Sequence, residues 1–299
     1  MSETPEYDVV SDVLRSLRLR AWIFKQGSYC GAWALDSTGV ARATLHLIGR
    51  GQAWVHSKGE SEPLPVRGGD LVMFPHGDWH QLSGVPRRQR GLHLPTTGEG
   101  PFTTVLCAMI EFQARGVNPI VQALPRAIVV RSEDQGTSAE LHTLARMMLA
   151  EYEANSAGRA GVLDRLAEVM FVLVLRHHMQ RAPELAGFLA AVKDERIARA
   201  LALLHRAPGK DWRVDALARE AGMSRTVFAE RFASFLGQTP MQYLTSWRMH
   251  VADDMLRDGR SSVAQIAAQV GYRTEGAFRR AFKRVRGVGT REARRKARS

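Results

Sequence analysis

The last hundred residues carry one pattern twice, and that doubling constrains the fold more than any other feature of the chain. The first copy runs Ala216-Leu-Ala-Arg-Glu-Ala-Gly-Met-Ser-Arg-Thr-Val-Phe-Ala-Glu-Arg-Phe232. The second runs Gln265-Ile-Ala-Ala-Gln-Val-Gly-Tyr-Arg-Thr-Glu-Gly-Ala-Phe-Arg-Arg-Ala-Phe282. Each reads as a short apolar helix, a Gly followed by one hydrophobic residue, and a polar start to a second helix. That is the layout of a helix-turn-helix: Gly takes the turn, and the second helix presents side chains to a major groove. One copy is a weak signal. Two copies, about 50 residues apart and joined by a helical stretch, are hard to obtain by chance.

Charge follows the same division. The 299-residue chain carries a net charge of +12. Residues 191–299 hold 23 Lys and Arg against 11 Asp and Glu, whereas residues 1–190 hold 19 of each. A basic unit beside a neutral one is the electrostatic footprint of a polyanion binder. Basic surface placed for solubility would not be confined to one third of the chain. The length allows two or three domains. The N-terminus, Met1-Ser-Glu-Thr-Pro-Glu-Tyr-Asp8, has no apolar run of the kind that opens a secretory signal. Apolar runs such as Val169–Leu175 fall far short of the ~20 residues that span a bilayer. With only Cys30 and Cys107 in the chain, a structural disulfide is not expected. These features lead us to expect a cytoplasmic, nucleoid-associated protein with no membrane partner.

The chain divides into three segments, for an α+β fold class. Residues 1–135 read as a β-barrel: Leu45 and Leu47, then Ala53 and Val55, alternate on either side of Gly49-Arg-Gly51. Leu71–Pro75 and Thr103–Phe112 read as buried strands, and Val85 to Pro101 as a loop. Residues 136–190 read as a helical pair, with Leu141, Leu144, Ala145, Met148 and Leu149 on the first helix and Val162, Leu163, Leu166, Val169, Met170, Leu173 and Val174 on the second. Their wide apolar faces suit a homodimer interface, or packing against the barrel within one chain. Residues 191–299 read as an all-α unit. Ile197, Ala200, Leu201 and Leu204 start it, Asp211 is a candidate N-cap, and Pro240 opens a linking helix with Leu244, Trp247, Val251 and Met255 on one stripe.

The reading surfaces follow from helical spacing. Phe228 and Phe232, four apart, face inward, which leaves Arg225, Thr226, Ala229 and Glu230 outward, with Ser224 placed to cap the helix. In the second copy Phe278 and Phe282 point in, leaving Thr274, Glu275, Ala277, Arg279 and Arg280 outside. Arg can bind guanine bidentately and Glu can accept from a cytosine amino group; other cations grip phosphate and supply position. Two heads on one helix are expected to enter successive major grooves about one turn, ~34 Å, apart.

The C-terminal segment resembles the AraC/XylS class of bacterial transcription regulators. The matching residues are Trp212, Leu217-Ala218, Gly222-Met-Ser224, Phe228, Phe232, Gly237, Pro240, Tyr243, Arg248, Ile266-Ala267, Val270-Gly-Tyr272, Phe278, Ala281-Phe-Lys283, Gly287-Val288 and Arg294. It departs at Gly287-Val-Gly-Thr290 and Ala293-Arg294, where the class has Gly-Val-Ser-Pro and Tyr-Arg. The segment Gly69-Asp-Leu-Val-Met-Phe-Pro-His-Gly-Asp-Trp-His80 resembles the second motif of a cupin, the domain some of these regulators carry. The first cupin motif is incomplete: His46 stands where its His-x-His would begin, but position 48 is Ile and no Glu follows at the expected spacing. Metal-dependent cupin enzymes need those ligands. The resemblance therefore implies a sensing cupin and a sequence-specific regulator with no catalytic residues. The alternative is a cupin metalloenzyme fused to a DNA-binding domain. The implied partners are a double-stranded DNA operator, RNA polymerase as an activator would need, and a second copy of the chain.

The signal is open at this level. Cys30, His46, His80 and Cys107 all lie in the cupin segment. Two Cys and two His can hold zinc or another divalent metal, and the two Cys alone can form an oxidant switch. Buried thiols and a hydrogen-bonded His are the ordinary core reading, and a pocket for a small organic ligand is the remaining one.

Overall fold

The computed structural model describes residues 8–17, 19–38, 40, 42–90, 101–112, 119–133, 139–182 and 184–295. Residues 91–100 of the expected loop, and the start of the expected helical segment at 136, lie outside them. The contacts divide the chain into two units: Leu19–Glu111 with Leu124–Pro183, and Met1–Arg18 with Phe112–Ala123 and Glu184–Ser299. The first helix, α1 (Val9–Leu17), belongs with the C-terminal unit, and the helical pair is part of the cupin unit rather than a segment of its own.

The cupin unit contains β1 (Leu19–Tyr29), β2 (Ala34–Asp36), β3 (Ala43–Arg50), β4 (Gln52–Ser57), β5 (Leu64–Arg67), β6 (Leu71–Phe74), β7 (His80–Ser83) and β8 (Thr103–Phe112). After α2 (Pro119–Gln122), which belongs to the other unit, come β9 (Ile128–Val130), α3 (Ala139–Ala154) and α4 (Arg159–Arg181). The expected barrel is instead two facing sheets, ordered β1-β8-β3-β6-β9 and β2-β7-β4-β5, and among the described residues no ladder closes them. Ile48, Val72, Phe74, Val105 and Cys107 of the first sheet meet Leu35, Ala53, Val55, Val66 and Leu82 of the second in one core cluster. Side chains alternate along a strand, so Leu45, Leu47 and Met73 lie on the far side of the first sheet. They are buried there too, because α3 packs on β3 and α4 on β1 and β9. Gly49 shows how close that layer is: a Cβ there would stand 2.4 Å from Leu149. The packing of the helical pair on its own sheet is thus realised, while Met147, Val162 and Val169 stay exposed on it, at 52%, 44% and 48%.

The second unit continues with α5 (Gly187–Lys193), α6 (Glu195–Arg206), α7 (Val214–Glu220), α8 (Arg225–Leu236), α9 (Pro240–Asp258), α10 (Val263–Gln269), α11 (Glu275–Arg286) and α12 (Thr290–Arg295). Its helices start where short polar side chains supply the missing acceptors for free backbone N–H groups. Asp194 caps α6, Ser224 caps α8 and Thr274 caps α11. Thr239 with Gln242, and Ser262 with Gln265, form full capping boxes on α9 and α10, and Pro240 takes the first turn of α9. Asp211 is not a cap: α7 begins after Arg213, which makes no side-chain cap bond. Phe228, Phe232, Phe278 and Phe282 are fully buried, and truncating any of them would cost about 3–5 kcal/mol.

Candidate nucleic-acid interface and sensing cavity

The two helix-turn-helix units, α7–α8 and α10–α11, are joined by the 19-residue α9 and locked to each other at three places. First, Arg248 on α9 donates from Nε to the Pro208 carbonyl at 2.7 Å and from its terminal nitrogen to the Lys210 carbonyl at 2.9 Å, with its guanidinium near the Tyr272 ring. Second, Gly209 and Gly271 touch backbone to backbone. Gly271 has φ +83°, and a Cβ on it would lie 2.6 Å from the Gly209 carbonyl; a Cβ on Gly209 would lie 2.2 Å from the Gln269 carbonyl. Third, the Asp253 carboxylate on α9 accepts from Arg257 at 3.1 Å and from Arg286 of α11 at 2.6 Å. The end of the second head is held as well, by Arg294 donating to the Ser261 carbonyl.

On α8, Arg225, Thr226 and Glu230 are exposed and Ala229 is half-buried. Arg225 lies 3.5 Å from Asp215 in a solvent-screened pair that leaves it available. On α11, Arg280 is exposed and Ala277 half-buried. Three of the expected reading residues have structural work. Thr274 Oγ1 accepts from the Ala277 N–H as a cap. Glu275 accepts from Arg279 Nε at 2.7 Å, and Arg279 also donates to Thr290 Oγ1 at 3.3 Å, so this pair braces α11 against α12. Spacing alone missed Val227, 51% exposed beside the first reading face, and Arg273 and Arg284, both exposed. An apolar residue at the third position of a reading helix, with no inward partner four residues on, was the available signal for Val227.

In the cupin unit, Phe24, Lys25, Leu35, Asp36, Ser37, His46, His80 and Cys107 line a cavity of about 170 Å³. Three of the four expected ligands therefore come together. Register explains it: His46 pairs with Cys107 across β3 and β8, and His80 opens β7 on the facing sheet. Cys30 is buried but is not among the lining residues. His80 Nδ1 lies 2.8 Å from the Asp78 carbonyl, so it carries the proton and donates. That leaves His80 Nε2 as an acceptor, and His46 Nε2, 2.8 Å away, as the donor. His46 Nδ1 is then a buried acceptor with no hydrogen-bond partner among the described residues. Burial, and then proximity to His80, hold His46 well below the usual imidazole range; burial brings His80 down to about 4.

This donor set does not fit a metal ion. The two imidazoles are bonded to each other, and burial pushes the Cys107 thiol up to about 12, so the thiolate that a metal needs is costly. Among the described residues no group of three or more His, Cys, Asp or Glu side chains is arranged to hold a metal. The same raised thiol makes Cys107 a poor nucleophile toward oxidants, and Cys30 and Cys107 are not joined in a disulfide.

Comparison with known proteins followed the same division. A cupin family profile matches residues 8–180, and a helix-turn-helix domain profile matches residues 217–296. A putative AraC-like transcription regulator of Streptomyces lividans is 30% identical over 94% of this chain and 96% of its own length. An uncharacterized HTH-type transcriptional regulator of Haemophilus influenzae is 26% identical over 92% and 94%. The HTH-type transcriptional regulator AlkR of Acinetobacter baylyi is 26% identical over 93% and 95%.

Proposed function

We propose, for a chain that belongs to the AraC-like transcription regulators and has a cupin domain ahead of its helix-turn-helix pair, that it reads a bipartite operator and that its cupin cavity takes up the signal. The observation that carries the reading is the locked pair of heads. Two reading helices with solvent-facing polar surfaces are tied to one linking helix, within residues 191–299, which carry 23 Lys and Arg against 11 Asp and Glu. At 1.5 Å per residue α9 is roughly 28 Å long, comparable to one turn of duplex DNA. Arg225, Thr226, Ala229 and Glu230 make up the first reading surface. Ala277 and Arg280 lead the second, with Thr274, Glu275 and Arg279 setting its shape and its approach to the phosphates.

The signal is a small organic molecule that donates a hydrogen bond to His46 Nδ1 while covering the apolar wall of Phe24 and Leu35, with Lys25 at the same cavity. A second copy of the chain docks through Met147, Val162 and Val169, and RNA polymerase is the downstream partner. The test is selection of bound sequences from random duplex DNA by the full chain, followed by binding titrations over a range of salt. The expected result is two conserved blocks one turn apart and an affinity that falls steeply with salt. A pool that shows no enriched sequence, or a single block unaffected by changes in α11, would overturn the reading.

A further inference from the structure

We infer that the DNA-binding unit itself contains a second effector site, for a small planar aromatic carboxylate, in a cavity that touches the ends of both reading helices. The cavity measures about 390 Å³, within the range of small-ligand sites, and lies entirely inside the second unit. Gln238, just past the end of α8, stands at its wall. So do Val285 and Arg286 at the end of α11, and Tyr243, Ser246, Trp247 and His250 from α9.

Three observations define the occupant. The first is a column of rings: His205 stacks on Tyr243 and on Trp247, the latter at 3.9 Å between centroids, and Trp247 stacks on His250 at 5.3 Å, all within 17° of parallel. Three of these four rings line the cavity, and an aromatic guest gains from either a stacked or an edge-on approach to them. The second is Trp247 itself, only 8% exposed, whose Nε1–H has no acceptor among the described residues. A buried indole N–H normally finds one, and a carboxylate oxygen supplies it. The third is charge. The lining includes the Arg286 guanidinium and the His250 imidazole and, among the described residues, no Asp or Glu, in a unit whose residues 191–299 carry 23 Lys and Arg against 11 Asp and Glu. Because Arg286 is also the tie from α11 to Asp253 on α9, an anion bound beside it competes with that tie. The relative setting of the heads then depends on occupancy.

The probes are benzoate and 1-naphthoate, with cyclohexanecarboxylate as a non-planar anion and benzamide as a planar neutral, titrated into the full chain by calorimetry. Both planar carboxylates are expected to bind at least tenfold more tightly than the two controls. Trp247→Phe, which keeps a ring but loses the N–H, is expected to weaken binding about tenfold, and Ser246→Phe, which fills the cavity, to remove it. Thermal unfolding midpoints of both variants check that they fold, and Gln238→Phe fills the same cavity from another side if Ser246→Phe does not. The inference falls if no planar carboxylate binds at up to about 10 mM. It also falls if the controls bind equally well, or if binding survives intact in the filled variants, which would put the probe elsewhere, including the cupin cavity. Operator binding without any probe is measured in parallel. Intact DNA binding with no carboxylate binding sinks this inference alone, whereas loss of DNA binding in the wild-type chain sinks the proposed function.

Discussion

Arg279 and Arg280 are neighbours on α11 and look alike in sequence, but they face different tasks. Arg280 is exposed to solvent, while Arg279 is spent on Glu275 and Thr290. Replacing Arg280 by Ala is therefore expected to weaken operator binding and to lower the salt slope by about 1, with stability unchanged. Replacing Arg279 by Ala is expected to lower the unfolding midpoint as well, because α12 loses a brace. Titration curves over salt, with thermal melts, separate the two; identical behaviour of the two variants would contradict the assignment. The His46–His80 pair makes a prediction about pH. Both folded pKa values lie below the ordinary 6.5, with His80 at about 4, so the unfolded chain binds protons that the folded one refuses. The stability they support is present above about pH 6.5 and is lost as pH falls toward 4, by an amount on the order of 3 kcal/mol for His80. Chemical denaturation at pH 7.5 and pH 5 should show this loss, and a His80→Asn variant should show less of it.

At the level of elements, helices were far more legible than the sheet. The Phe pairs, Ser224 and Pro240 declared their positions because helical periodicity and cap chemistry are local. The β3 alternation was visible, but which face met which layer was not: Leu45 and Leu47 are buried under α3 and α4, and the partner sheet packs on the other face. A strand covered on both sides loses the contrast that tells its faces apart. The open sheets, in place of a barrel, were likewise invisible, since closure depends on edge pairing between distant strands. Cap predictions belong at this scale. Thr239→Ala removes the side-chain acceptor of a capping box, leaving only the Thr239 N–H bond to Gln242 Oε1, and is expected to cost about 1 kcal/mol, read by denaturant unfolding. Gly271→Ala sets a Cβ against the Gly209 carbonyl at positive φ and is expected to cost at least about 1 kcal/mol and to loosen the two heads, a larger loss in DNA binding than in stability.

For the whole molecule, the doubled motif and the confinement of charge were enough to indicate the output unit. The membership of α1 in that unit, and of the helical pair in the cupin, follows from packing between residues over a hundred positions apart and leaves no local trace. The exposed valines of α4 carry the test of assembly: Val169→Asp is expected to turn a dimer into a monomer, seen as a halved mass in light scattering, and an unchanged mass would place the interface elsewhere. The Gly209–Gly271 contact and the Arg248 clamp have one more consequence. Two heads that cannot slide along each other make the protein a gauge of fixed length. Five base pairs inserted between the blocks of an operator would turn one block to the opposite side of the duplex. Inserting a full turn, about 10 base pairs, would restore the side but not the distance. Both insertions should abolish binding by one chain, so its natural sites will differ in letters and agree in interval.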